Sequence, residues 1–181
     1  MVAARFLRAI FLDSGDTIVD EGTEIKDADE VVQRAELIPG ATAMVQGIKE
    51  RGYPLALVAD GPVGSFQNIL TQHQLYHYFD AFAISGAVGI EKPAARMFEH
   101  ALNALHIGPA EYHRVVMVGN NLARDIKGAN ALGLITVWLD WAPRRAKIPA
   151  DGSEVPQYTI KTPDALLPLL DKIEQAHDES N

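Results

Sequence analysis

Short runs of mostly apolar residues recur along the chain, separated by longer segments of mixed polarity. Such short runs are typical of β-strands that are buried on both faces of a parallel sheet. A weaker run near the C-terminus predicts one further strand. The predicted strands span residues 9–12, 55–59, 81–84, 115–118, 135–139 and, for the weaker run, 158–160.

Between these runs, apolar residues recur every three or four positions, which is the period of a helix with one buried face. The clearest stripe lies within residues 94–105, where Pro93 suits the first helical turn. Further helices are predicted at 41–48, 63–73, 122–132 and 163–175. Because strands alternate with helices, we predict a single α/β domain with a doubly wound, Rossmann-like parallel sheet and helices on both faces.

Small polar residues follow four of the predicted strands at the point where each strand ends. In a parallel sheet these carboxyl ends meet at one edge, which is where ligands bind in folds of this class. The sequence therefore predicts a binding or catalytic site at this edge. The residues concerned are Asp13, Asp60-Gly61, Ser85-Gly86 and Gly119-Asn120.

Composition and charge narrow the class of protein. The chain has 181 residues, of which 48% are hydrophobic and 22% charged, and these values are typical of one globular domain. It contains no cysteine, which excludes thiol nucleophiles and cysteine-bound zinc and fits a cytoplasmic location. The formal charge of −8 argues against nucleic acid or an anionic membrane as a partner. No apolar stretch approaches the roughly 18 residues of a membrane span.

Four segments in a fixed order carry the most specific signal in the sequence. They are 11–18 (FLDSGDTI), 57–61 (LVADG), 89–93 (GIEKP) and 118–120 (VGN), the last followed by Asp125 and Gly128-Ala129. Together they resemble the four ordered motifs of the haloacid dehalogenase-like hydrolase superfamily, and the resemblance spans nearly the whole chain. It implies an aspartate nucleophile after the first strand, a lysine that holds both nucleophile and substrate anion, and acidic residues that bind Mg²⁺.

The resemblance implies a role for each matching position. Asp13 matches the nucleophile, whose ionised carboxylate can form a covalent intermediate that water then hydrolyses. Lys92 matches the lysine, a point charge that binds an anionic oxygen and keeps Asp13 ionised. The implied substrate-binding positions are Ala59, Asp60, Gly61 and Lys92. The implied ligands of the Mg²⁺ cofactor are Asp13, the backbone carbonyl of Gly15, Asn120 and Asp125.

Three positions depart from the family pattern. Gly15 stands where phosphatases of the family usually carry a second aspartate as general acid and base, and losing such a group costs about 10²- to 10⁴-fold in rate. The neighbouring Asp16 is expected to substitute in part if the loop rearranges. Ala59 replaces a phosphate-binding hydroxyl and Asn120 replaces a metal-binding carboxylate, so anion and Mg²⁺ binding are expected to weaken. An equally supported role for Asn120 and Asn121 is capping of the helix that follows.

The domain prediction is a single family core over residues 1–181, without a full cap domain. Two stretches have room for such an insertion, and the second of them, 62–81, is largely used by a predicted core helix. The first, 18–38, is predicted to form a short flap that carries Asp20, Glu21 and Glu24. Because an open site of this kind usually serves a large substrate or is closed by a second subunit, a homodimer is expected.

Three functions remain open from the sequence. The first is a weak Mg²⁺-dependent phosphatase that acts on a small phosphorylated or other anionic substrate through an aspartyl-phosphate intermediate. The second is a non-catalytic protein that keeps the fold for binding or assembly, which explains all three departures together. The third is a metal-independent haloacid dehalogenase, since halide leaves without a proton, although the chain has no cap to supply the usual halide pocket.

Overall fold

A six-stranded parallel sheet forms the centre of the computed structural model, which describes residues 5–178. In chain order the strands are β1 (Ala9–Leu12), β2 (Ile25–Lys26), β3 (Val32–Arg34), β4 (Leu55–Ala59), β5 (Ala81–Ile84), β6 (Val115–Gly119), β7 (Ile135–Leu139) and β8 (Tyr158–Ile160). The sheet order is β5-β4-β1-β6-β7-β8, with every neighbouring pair parallel. Strands β2 and β3 form a separate antiparallel pair.

Strand β1 lies between β4 and β6, and all four of its side chains are fully buried. Its Leu12 is in register with Leu57 of β4 and Val118 of β6. The residues that follow these three strands therefore lie side by side at the carboxyl edge of the sheet. This place is the topological switch point, because later strands are added first on the β4 side of β1 and then on the β6 side. This arrangement confirms the predicted doubly wound fold.

Six α-helices lie within the described residues: α1 (Ala41–Glu50), α2 (Val63–Gln72), α3 (Ser85–Val88), α4 (Ala95–Ala104), α5 (Lys127–Leu132) and α6 (Leu166–Asp178). Helices α1, α2 and α6 pack on the face of the sheet that presents Ile10 and Leu12 of β1. Helices α4 and α5 cover the opposite face, which presents Ala9 and Phe11. Side chains alternate between the two faces along a strand, which is why both cores draw on β1.

The helix predictions differ from the structure at three places. The predicted helix 122–132 begins as a π-helical turn, Leu122–Ile126, before α5. The final helix is preceded by a short 3₁₀ turn at Pro163–Ala165, and Pro168 lies in the first turn of α6, where a proline removes no intrahelical hydrogen bond. Helix α3 was not predicted, because four residues are too few to show an apolar period.

The flap, residues 18–38, contains the β2–β3 hairpin and is attached to α2. The backbone N–H of Val32 donates to Ser65 Oγ at 2.9 Å, and Asn68 Nδ2 donates to the Val32 carbonyl at 3.0 Å. Val32 is buried, whereas Ile25 in the other strand is exposed. One strand of the hairpin thus holds the flap against the core. No helix in residues 5–178 has both the length and the apolarity to cross a membrane.

Candidate active site

Asp13, Lys92 and Asp125 form a buried cluster at the carboxyl edge of the sheet, called here the ion-pair core. Lys92 Nζ donates to Asp13 Oδ1 at 2.8 Å, to Asp125 Oδ1 at 2.7 Å and to the Val58 carbonyl at 2.8 Å. The side chains of Lys92 and Asp125 are 2% and 0% exposed, and that of Asp13 is 13% exposed. An ammonium group has three N–H donors, so the protein itself occupies all three.

The electrostatics of the ion-pair core favour a protonated lysine. Burial disfavours the ammonium form of Lys92, but the charges of Asp125 and Asp13 outweigh burial and raise the lysine pKa above its ordinary value. Burial raises the pKa of Asp125 to about 7, and the charge of Asp13 adds to this effect while Lys92 opposes it. Two carboxylates thus share one ammonium in a place with little water.

The predicted substrate-binding segment after β4 mainly positions Lys92. Asp60 Oδ1 accepts from the backbone N–H of Lys92 at 3.0 Å, and its Oδ2 accepts from Arg124 Nη1 at 3.0 Å. Ala59 is fully buried in the sheet, and the backbone N–H of Gly61 donates to a serine hydroxyl. Asp60 therefore holds the backbone that presents Lys92 to the ion-pair core.

The two asparagines after β6 have different surroundings. Asn121 Oδ1 accepts from the backbone N–H of Ala123 at 3.1 Å, so Asn121 is the residue that caps the π-helical turn. Asn120 is buried, and its amide nitrogen has no hydrogen-bond partner within the described residues. Its backbone carbonyl accepts from the indole N–H of Trp138 at 3.0 Å. Capping therefore accounts for Asn121 and leaves the side chain of Asn120 free for another role.

Asp16 is directed toward the flap. It is fully buried, with a positive φ of 50°, and its Oδ1 accepts from the backbone N–H of Glu21 at 3.2 Å and from Arg144 Nη1 at 2.9 Å. Arg144 also donates to Asp20 Oδ1 at 2.7 Å. The predicted catalytic use of Asp16 would therefore require the loop rearrangement on which that prediction depended.

Glu21 occupies the space beside Gly15. A Cβ atom added at residue 15 would overlap the Glu21 carboxylate and lie 2.8 Å from both its Cδ and its Cγ. Arg145 Nη2 donates to both carboxylate oxygens of Glu21, at 2.9 and 2.7 Å. Burial raises the pKa of Glu21, while the charge of Arg145 opposes this rise.

A cavity of about 260 Å³ opens next to this pair, between the strand ends and the flap. Its lining includes Ser14, Gly15, Glu21, Asp60 and Arg145. The flap carries Asp20, Glu21 and Glu24, and the basic residues Arg144 and Arg145 follow β7, but no sequence spacing pairs residues that lie 124 positions apart. Complementary charge was the one signal that could have suggested this contact.

A comparison with protein-family models identifies the relationship. Residues 2–133 match the model for haloacid dehalogenase-like hydrolases, which is well over half of the chain. The chain belongs to this family. The family match covers the ion-pair core and the flap, but it ends before Arg144 and Arg145.

Individual relatives are consistent with this assignment. The chain is 32% identical to a glyceraldehyde 3-phosphate phosphatase of Pyrococcus furiosus over 136 residues, which cover 75% of this chain and 55% of the relative. It is 38% identical to a phosphoserine phosphatase of Thermus thermophilus over 108 residues, 60% of this chain and 42% of that one. The chain thus spans about half the length of the curated relatives it matches.

A solved structure shows the same fold over nearly the full length. The crystal structure of a phosphatase of this family from Thermococcus onnurineus superposes with a TM-score of 0.73 at 19% identity. The superposition covers 91% of this chain and 98% of that one.

Proposed function

We propose that the protein is a Mg²⁺-dependent phosphatase that transfers the phosphoryl group of a small phosphorylated substrate to Asp13. The observation that carries this proposal is the ion-pair core, in which Lys92 bridges Asp13 and Asp125 at the carboxyl edge of the sheet. Two relatives named as phosphatases support it. The cavity of about 260 Å³ beside the core supports a small substrate.

The chemistry follows from how Asp13 is held. Lys92 fixes Oδ1, and within the described residues no hydrogen bond is formed to Oδ2, which is the oxygen that attacks phosphorus. The bond from phosphorus to the ester oxygen breaks, and that oxygen leaves with a proton. Water then attacks the aspartyl phosphate and loses a proton, which releases phosphate and restores the Asp13 carboxylate.

The donor set at this edge fits a hard divalent cation. Two carboxylates against one ammonium leave excess negative charge at this edge, which is relieved either by protonation of Asp125, whose pKa is raised to about 7, or by a bound cation. Asn120 has a buried amide nitrogen without a partner, and turning the amide by 180° would present its oxygen at that position instead. Oxygen atoms of carboxylates, amides and backbone carbonyls are the ligands that Mg²⁺ prefers.

The residues that would hold the cation are Asp13, Asp125, Asn120 and, through its carbonyl, Gly15. Residues 5–178 contain no cluster of three or more Asp, Glu, His or Cys side chains arranged for a metal ion. The proposed site therefore depends on the uncharged oxygens of Asn120 and Gly15 as well as on two carboxylates. When bound, Mg²⁺ would neutralise charge that develops on the phosphoryl oxygens.

One observation favours a second candidate, a non-catalytic protein that uses the same site for binding or assembly. The three N–H groups of Lys92 are already satisfied by protein acceptors. A substrate oxygen would have to displace one of these acceptors, and Ala59 offers no hydroxyl to assist.

A homodimer that closes the open site is part of either proposal, and light scattering tests it.

The experiment that separates the two candidates measures phosphate release from a panel of small phosphate monoesters, with Mg²⁺ and with EDTA. We expect slow turnover that requires Mg²⁺ and that falls to background in Asp13→Asn, because an amide cannot act as the nucleophile. Asp29→Asn, an exposed aspartate of the flap, is the matched control and should keep wild-type turnover.

Two results would count against the phosphatase. Turnover that survives in Asp13→Asn would place the chemistry elsewhere. Absence of Asp13-dependent turnover across the panel in a folded protein saturated with Mg²⁺ would leave the binding role ahead.

A further inference from the structure

The proposed reaction needs a proton carrier that the ion-pair core does not provide. The ester oxygen of an alkyl phosphate must gain a proton as its bond to phosphorus breaks, and the attacking water must lose one in the second step. Lys92 is surrounded by acceptors that use all of its donors. The carrier must therefore be another group next to Asp13, and the following inference rests on the proposed function.

Three carboxylates near the nucleophile are engaged elsewhere. Asp125 is fully buried and held by Lys92. Asp60 accepts from the backbone of Lys92 with one oxygen and from Arg124 with the other. Asp16 is fully buried; its Oδ1 accepts from the flap backbone and from an arginine beyond β7, and its Oδ2 is enclosed without a hydrogen-bond partner within the described residues. Asp60 lines the cavity, but both of its carboxylate oxygens already accept hydrogen bonds, and Asp16 and Asp125 are not among the residues that line it.

Glu21 remains, and its position suits the task. Its side chain is 26% exposed and lines the cavity together with Ser14 and Gly15, the two residues directly after Asp13. The absence of a side chain at Gly15 leaves the volume that the Glu21 carboxylate fills. The flap thus delivers a carboxylate to the place that a longer side chain at residue 15 would reach.

Arg145 fixes the orientation of this carboxylate. Its Nη2 atom contacts both oxygens of Glu21, and the guanidinium is itself 37% exposed at the mouth of the cavity. A side chain held in this way loses fewer rotamers when it acts on a substrate. The connection between β7 and β8 therefore contributes to the site by holding the flap carboxylate.

We propose that Glu21 is a catalytic residue that carries the proton in both steps. In the first step the Glu21 carboxylic acid gives its proton to the ester oxygen as the bond between that oxygen and phosphorus breaks. In the second step the resulting carboxylate takes a proton from the water that attacks the aspartyl phosphate. The proton balance closes over one turnover, and no other reactant is needed.

The test uses two esters that differ in their need for a proton. The 4-nitrophenyl group of 4-nitrophenyl phosphate leaves as a stable anion, whereas the alkoxide of an alkyl phosphate needs protonation. In Glu21→Gln we expect kcat/KM for the alkyl ester to fall by about 10²- to 10⁴-fold. For the aryl ester we expect a loss of at most about tenfold, since its phosphoryl transfer needs little acid assistance.

The ratio of the two kcat/KM values is the decisive readout, because a structural disturbance would lower both values together. Glu36→Gln, an exposed glutamate at the other end of the flap, is the matched control and should leave the ratio unchanged. Thermal denaturation checks that each variant is folded. A wild-type ratio in folded Glu21→Gln would overturn the role of Glu21.

A rescue variant tests the position itself. Glu21→Ala empties the space beside residue 15, so Gly15→Asp in that background should restore a carboxylate there and recover alkyl ester turnover. A double variant no better than Glu21→Ala would also overturn the proposal. If neither ester shows Asp13-dependent hydrolysis in the wild type, the proposed function fails and this role with it. If that hydrolysis is present and the ratio does not respond to Glu21, only this role fails.

Discussion

The two sides of the site are both lined by ion pairs, but they differ in burial. In the ion-pair core, the side chains of Lys92 and Asp125 are 2% and 0% exposed. On the flap side, Arg144 and Arg145 are 32% and 37% exposed although they make similarly short contacts. Both members of the Glu21–Arg145 pair are open to water, which screens their attraction, whereas the buried Lys92–Asp125 pair is screened little. Similar distances should therefore correspond to very different free energies.

The two sides also differ in how rigidly the fold holds their residues. The ion-pair core comes from strand ends, so a rigid sheet fixes its geometry. The flap side joins Glu21, in a short 3₁₀ turn before the hairpin, to Arg145 in the irregular connection after β7. We infer that the core fixes the reacting atoms, while the flap side can shift by small amounts without unfolding the protein.

The largest effect is expected from Lys92→Met. This change leaves the buried Asp125 and the partly buried Asp13 without their cation, and loss of one partner of a buried ion pair costs about 3–5 kcal/mol of unfolding free energy. Arg145→Gln removes the corresponding cation on the flap side and should cost at most about 1 kcal/mol. Urea denaturation of both variants measures the difference. Equal losses of unfolding free energy in the two variants would contradict the conclusion that the buried ion pairs stabilise the protein more than the exposed ones.

The positions of the core-side residues could be predicted from the sequence because those residues are defined locally. Asp13 directly follows a continuous apolar run, and Asp60 follows another, so their shared edge of the sheet could be predicted before the structure was known. The sheet then places Lys92 and Asp125 against Asp13. What the sequence did not show was that Lys92 would be saturated by protein acceptors, since that depends on the Val58 carbonyl as a third partner.

The flap side could not be predicted for the opposite reason. The β2–β3 hairpin is short and mostly exposed, so it has little apolar alternation to detect. The sequence indicates that residue 15 lacks an acid, and only the structure shows that the Glu21 carboxylate fills the space beside it. The distinction between Asn120 and Asn121 also required the structure, because either of them could have capped the following turn.

A smaller effect is expected from adding a methyl group on each side. In Gly119→Ala the new Cβ would lie 2.6 Å from Cβ of Asp125, which is fully buried and cannot move away. Overpacking of this kind costs about 1–3 kcal/mol. In Gly15→Ala the obstacle is the Glu21 side chain from Cγ outward, which is 26% exposed and can move into the cavity if its contact with Arg145 is given up. We expect a loss of less than about 1 kcal/mol there, as for other substitutions that avoid the core. Thermal denaturation of both variants checks the order, and a larger loss in Gly15→Ala would contradict it.

The smallest effect is expected from Asn120→Asp, which changes the charge balance beside the ion-pair core and is measured as a change in Mg²⁺ affinity. Asn120→Asp adds a carboxylate where the amide nitrogen has no partner, so the variant should be less stable than wild type without a cation. With Mg²⁺ the order should reverse, because one more anionic oxygen should tighten binding about tenfold, the equivalent of about 1.4 kcal/mol. A Mg²⁺ titration followed by thermal denaturation measures the change in stability both without and with the cation.

Asn121→Asp is the control, since aspartate caps a helical turn as well as asparagine does and Asn121 already has that contact. If Asn121→Asp tightens Mg²⁺ as much as Asn120→Asp, the gain comes from the general field of an added charge and not from ligation at residue 120.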